Sequence, residues 1–389
     1  MGMSVSKTYA LVSHESAVEA IWALAARNWK DLLDDEGIWL VPRAENCVKT
    51  QKDFKGLDAE ANLAQLGIRS RPVDLLVPDK ACFSRGRLAQ FHVWSDFFPS
   101  RSFVRVHDRV FVSTPYFAVL QLAMGRRPNR ISRATAEDAA KEDARFRAEL
   151  GLEGKPSTVT ELIRWDNIAR FVRATQVLCD FMGTYRYVPP PEDKPDDPPG
   201  IVFKKKPIVR PEVLKKYLTE MGAARGIKRA RKVAATAFCC AASPMETMLV
   251  LMLTLPCTMG GFGLPRPVVN WSMPKDQLRR ELFAQDEIII DLCWPEQKVA
   301  VEYYGWNEHY GAGRGKVAAD ATRANGLAAM GWTVYVVTYE QVCTLAGVSL
   351  LARQIAAALK TSLLEPLELE LLWRSRLLAD LLPTSNRRL

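Results

Sequence analysis

Two carboxylates, Asp291 and Glu302, stand inside β-rich apolar runs, Ile288 to Leu292 and Val299 to Tyr303, separated by a Trp-Pro-Glu-Gln break. Such a pattern signals a hairpin. If Glu296-Gln297 is a two-residue loop, residues whose numbers sum to 593 face each other, and Asp291 lies opposite Glu302. Directly opposed side chains have Cβ atoms about 5 Å apart, and like charges there repel. A divalent cation is the natural compensation, because Mg²⁺ takes oxygen ligands at about 2.1 Å and commonly uses one or two carboxylates plus a substrate phosphate. The plainer alternative is a solvated sheet face, the usual setting of Asp and Glu.

The elements that must position these acids follow a legible order. "SPMETMLVLMLTL" starts a helix, with Ser243-Pro244-Met245-Glu246 as a capping box carrying proline at the first helical position. "VVNWSM" reads as a strand, the hairpin supplies two more, "RGKVAADATRANGLAAM" is a helix ended by Gly331, and "WTVYVVT" is a strand. The order is α-β-β-β-α-β. Its last strand-helix-strand unit is expected to be parallel and right-handed, giving a mixed sheet with helices packed against it, an α/β fold class.

Upstream, residues 15 to 33 read as an amphipathic helix, "GIWLVP" and "VDLLVP" as strands, and "SFVRVHDRVFVSTP" as a hairpin turning near His107-Asp108. This is a small α/β or winged-type domain over residues 1–125. A helical section covers 126–187. "VPPPEDKPDDPPG" has six prolines and four acids, which suit neither helix nor central strand, and marks a linker at 188–203. A basic helical segment follows at 204–240, and the acid-bearing α/β domain with C-terminal helices occupies 241–389.

Composition bounds the function classes. The chain has 389 residues, 48% hydrophobic and 25% charged, an ordinary globular balance with room for two or three domains. Its eight cysteines include Cys239-Cys240 but no Cys-x-x-Cys and no His/Cys spacing that suggests zinc, so reduced thiols and a cytoplasmic setting are expected. The longest apolar run, Met248 to Pro256, is far short of the roughly 20 residues that a membrane-spanning helix needs, so no membrane partner is expected.

The net charge of +9 is localised. Residues 204 to 232 hold eleven Lys/Arg and two Glu, while the remaining 42 basic residues balance 42 acidic ones. The candidates for phosphate contact are Lys204, Lys205, Lys206, Lys215, Lys216, Arg225, Lys228, Arg229, Arg231 and Lys232. A solvated helix flanked by a basic linker is the alternative reading.

The run "SPMET", "GFGLPRPVVNW", "DLCWPEQKVAVEYYG", His309 and "DATRANGLAAMGWTVYVVT", over residues 241 to 345, resembles the PD-(D/E)xK nuclease-like domain of the Vsr-like group. That group has the restriction-endonuclease-like fold of very-short-patch-repair endonucleases. The preceding half, through "VHDRVFVSTPYFAVLQLA" and "LCDFMGTY", loosely resembles proteins related to AbiEi-type abortive-infection antitoxins. The resemblance implies an Mg²⁺- or Mn²⁺-dependent endonuclease that binds and cleaves DNA, with Asp291 and Glu302 as metal ligands. It makes Glu246 an accessory acid, although capping explains that residue too, and His309 an aid to proton transfer. Asp320 and Arg323 match an Asp-x-x-Arg pair on the second core helix, where Arg323 could contact phosphate or simply pair within the helix. Two residues after Glu302, where the superfamily has Lys and this group usually Asp, stands Tyr304, a phenol that supplies neither cation nor carboxylate at neutral pH. Lys298 lies on the same face, but four residues of strand put it about 13 Å away along the sheet, so it is not expected to substitute, whereas Lys316 of the "YGAGRGK" segment could swing in. The second reading is therefore a nucleic-acid-binding regulator or antitoxin of a bacterial defence system with weakened cleavage, and the third a module for a protein partner from a defence operon.

Overall fold

Short β-rich segments and longer amphipathic ones alternate along the chain, and the computed structural model is correspondingly a mixed α/β protein. It describes residues 8–28, 47–78, 86–95, 97–98, 101–124, 133–190, 194, 197, 199–283, 285–304 and 314–383, without side chains for 27–28, 133–135 and 314–320. The expected strand "GIWLVP", His309, and the side chains of Lys316 and Asp320 lie outside the described residues. Contacts group the described residues into two units, one from 1–125 and 170–238, the other from 126–169 and 239–383.

Unit one holds β1 (Ala10–Val12), α1 (His14–Asn28), α2 (Gln51–Ala61), β2 (Val73–Val77), β3 (Ala89–Val93), β4 (Phe103–His107), β5 (Val110–Ser113) and α3 (Pro115–Ala123). Its sheet runs β3-β2-β1-β5-β4, with the expected β4-β5 hairpin at one edge. The buried helix α1 packs on β2 and β5, with Trp22 against Phe181 at 5.0 Å and Tyr187 at 5.3 Å between ring centroids. The segment Val159–Met182, α5, belongs to this unit from residue 170 onward. The proline-rich stretch expected as a linker connects β6 (Arg186–Val188) to β7 (Gly200–Val202), which pair antiparallel within the unit. Its prolines, which cannot donate to a ladder, sit in the connection rather than in the strands. The basic segment then forms α6 (Pro211–Glu220) and α7 (Ile227–Thr236).

Unit two contains α4 (Arg133–Leu150), the first part of α5, α8 (Pro244–Thr254), β8 (Val268–Ser272), β9 (Ile289–Trp294), β10 (Val299–Tyr304), α9 (Arg314–Ala329), β11 (Thr333–Thr338), α10 (Leu345–Ala358) and α11 (Glu368–Leu381). From α8 to β11 the order is α-β-β-β-α-β. The sheet runs β11-β10-β9-β8, antiparallel except for the parallel β10-β11 pair that the crossover helix α9 requires. The hairpin has the expected register, Val299 facing Trp294 and Val301 facing Leu292. Its loop is longer than two residues: Pro295–Gln297 form a 3-10 turn and Lys298 has φ +53°. The register still follows the sum because two residues were added symmetrically. Ile288, Ile290, Cys293, Ala300, Leu327 and Trp332 form the core against the sheet.

Candidate functional site

Glu246 of α8 feels the negative charge of Asp291 of β9, and Glu302 stands on the adjacent strand β10. Half of the expected capping box of α8 is made, with the Glu246 side chain returning to the Ser243 hydroxyl rather than to its backbone N–H: Ser243 Oγ accepts the Glu246 N–H at 3.2 Å and donates to Glu246 Oε1 at 2.9 Å. The Ala242 N–H adds a bond to Oε2 at 2.8 Å. Glu246 is 4% exposed. Burial first, and the negative charge of Asp291 second, push its carboxyl up to about 8. Capping and proximity to Asp291 are thus combined in one side chain.

A further residue holds Glu246. Asn270 lies in β8 between Val269, which faces Leu292, and Trp271, which faces Ile290, so its register position faces Asp291. Its φ is +47°, a left-handed conformation that Asn tolerates better than most residues. Its Nδ2 donates to Glu246 Oε2 at 2.6 Å and to the Cys240 carbonyl at 2.8 Å. The sequence reading passed over it, since "VVNWSM" scans as an ordinary strand; the available signal was an Asn inside a β-branched run, where it is disfavoured.

Asp291 is half-buried, and its Oδ2 accepts the backbone N–H of Tyr303 at 2.8 Å. The paired register of β9 and β10 ends at Val301 and Leu292, and this side-chain bond spans the next step. Glu302 is 1% exposed, and Arg323 of α9 places Nη2 2.7 Å from its Oε2. Burial of a carboxylate demands such a partner. The Arg323 side chain is itself 24% exposed. Burial, then the charge of Glu302, pushes the Cys293 thiol up to about 12, which disfavours its thiolate at neutral pH.

Tyr304, half-buried, pairs with Thr338 of β11. Lys298 Nζ donates to the Met330 carbonyl at 3.1 Å. Among the described residues no group of three or more His, Cys, Asp or Glu is arranged to hold a metal ion. Of the expected ligand pair, Asp291 raises the carboxyl of Glu246, and Glu302 has Arg323 as its counter-charge.

The basic candidates belong to unit one. Lys204, Lys205, Lys206, Lys215, Lys216, Arg225, Lys228 and Lys232 are exposed. Two arginines have local work: Arg231 Nη2 donates to the Leu218 carbonyl at 3.1 Å, at the end of α6, and Arg229 lies 6.0 Å from the Phe171 ring centroid. No described helix is long and apolar enough to cross a membrane. Comparison of the chain with protein-family models, with curated protein sequences and with solved structures gives no match.

Proposed function

We propose that unit two is a metal-dependent, restriction-endonuclease-like nuclease domain that acts on DNA phosphodiesters in the cytoplasm, with Mg²⁺ or Mn²⁺ held at Asp291 beside Glu246 and Glu302. The observation that carries this reading is the meeting of Glu246 and Asp291, where burial and mutual repulsion can be relieved by a proton or a cation. Donors that are all carboxylate oxygen suit a hard cation such as Mg²⁺. When bound, the cation supplies positive charge at the phosphate and acidifies a water.

The chain's own residues supply the positioning. The Tyr303 N–H orients Asp291, while Ser243, Ala242 and Asn270 fix Glu246. Arg323 supplies the counter-charge of Glu302 and, being partly exposed, can answer phosphate charge. His309 is the proposed aid to proton transfer.

The Glu302–Arg323 ion pair, together with Tyr304, favours a second reading: a DNA-holding regulator or antitoxin of a defence system in which cleavage is weakened. Calorimetric titration of Mn²⁺ alone separates the two. The nuclease reading expects saturable binding that Asp291→Asn abolishes and Glu246→Gln weakens. Absence of saturable binding by the unmodified chain contradicts it and leaves the second reading.

A further inference from the structure

We infer that α7 is a contact surface for double-stranded DNA, with Lys228 and Lys232 as its phosphate-binding residues and Arg229 and Arg231 as the side chains that fix the helix in place. The inference rests on the DNA reading above and adds the form of the nucleic acid and the division of labour among four clustered cations.

The helix is amphipathic. Ile227, Ala230 and Val233 are buried, and on the other side Lys228, Arg231, Lys232 and Ala235 are exposed. Lys228 and Lys232 are four residues apart, so their side chains leave the same face about 6 Å from each other. No acid lies within α7, and the acids of the preceding helix, Glu212 and Glu220, are only two against the eleven cations of residues 204 to 232. An ordinary solvated helix mixes signs along its exposed face; here the surplus is unbalanced and accounts for the whole net charge.

The arginines have different tasks. Arg231 satisfies the Leu218 carbonyl at the end of α6, and Arg229 is half-buried over Phe171. Arginine suits such fixed, multidonor and ring-facing roles, whereas lysine is a mobile point charge. Gly226 seats the start of the helix: its φ is +85°, and a Cβ there would lie 2.6 Å from Met124 Cγ. The face that carries the two lysines is therefore held in one orientation.

The form of the ligand follows from what the surface offers. Binding of a single strand relies on aromatic side chains on which bases stack. The one aromatic side chain of α6 and α7, Tyr217, is buried and bonded to Ser102 at 2.9 Å. What remains is a narrow helix with Ala234 and Ala235 beside its cations, and an α-helix 10–12 Å across fits a major groove about 12 Å wide. Exposed Phe203, next to Lys204–Lys206, is the feature that would instead favour a single strand.

The test is fluorescence anisotropy of a labelled duplex, and of its separate strands, with the full chain in EDTA over a series of salt concentrations. The unmodified protein is expected to bind the duplex more tightly than either strand. Lys228→Ala/Lys232→Ala should flatten the slope of log affinity against log salt by about 1.8, twice the ~0.9 per phosphate contact on a duplex. Lys228→Arg/Lys232→Arg should restore the slope, and Arg231→Ala should lower thermal stability while leaving the slope of the folded protein within one contact of the unmodified value. An unchanged slope in the folded double-alanine variant, or tighter binding to single strands, overturns the inference. Because no metal is present, these outcomes are independent of cleavage at Asp291.

Discussion

Asn270 combines a left-handed backbone with an amide that reaches a buried carboxylate at 2.6 Å. Replacing it with Ala keeps the conformational cost and removes both bonds, leaving a buried acid short of a donor, and is expected to destabilise the protein by about 2 kcal/mol. Asn270→Gly removes the same bonds but relieves the backbone, so it should cost about 1 kcal/mol less than Asn270→Ala. Denaturant unfolding of the three proteins checks this, and equal stability of all three would show that neither feature matters. At this scale the sequence disclosed what was local. Ser243 and Glu246 are three residues apart and their capping interaction could be read directly, whereas Arg323 meets Glu302 across 21 residues and needed the fold to bring them together. Arg231 was likewise counted as a phosphate contact because sequence shows its charge and not the carbonyl it serves.

Elements were legible where period and turn chemistry agree. The register of β9 and β10 followed from two apolar runs around a break, and β11 from a β-rich run after Gly331. The charged stretch that forms α4 concealed more. Asp143 is 2% exposed: Oδ2 accepts from Arg147 at 3.0 Å and from the Ser157 N–H at 3.1 Å, and Oδ1 accepts from Arg376 of α11 at 3.2 Å. Burial raises the proton affinity of this carboxyl, but the bonds from Ser157 and Arg147 and the charge of Arg376 outweigh it and hold it below the usual carboxylate range. Its contribution is thus present above that range and is lost as pH falls through it. Asp143→Asn, which leaves Arg376 buried without its counter-charge, should cost about 3 kcal/mol near neutrality. The difference in melting temperature from the unmodified protein should shrink as pH is lowered below about 4. A difference independent of pH would contradict the assignment of an ionised Asp143 as the link between α4 and α11.

Over the whole molecule, cations and acids are distributed unequally: the net positive charge is concentrated in unit one, and Glu246, Asp291 and Glu302 are in unit two. The account therefore treats holding and cutting as separable, each removable without the other. The strand order β3-β2-β1-β5-β4 of unit one was not readable, because it depends on pairings such as Ala10 with Val110, a hundred residues apart, and β1 is only three residues long. The order of elements around the acids was readable because each is adjacent in sequence to the next. The most direct measurement of the central claim is cleavage of a mixed pool of single- and double-stranded DNA and RNA with Mg²⁺ or Mn²⁺, comparing the unmodified chain with Asp291→Asn. The account predicts metal-dependent DNA products that disappear in the variant while DNA binding persists. Products that persist in Asp291→Asn, or none from the unmodified chain under either metal, would contradict it.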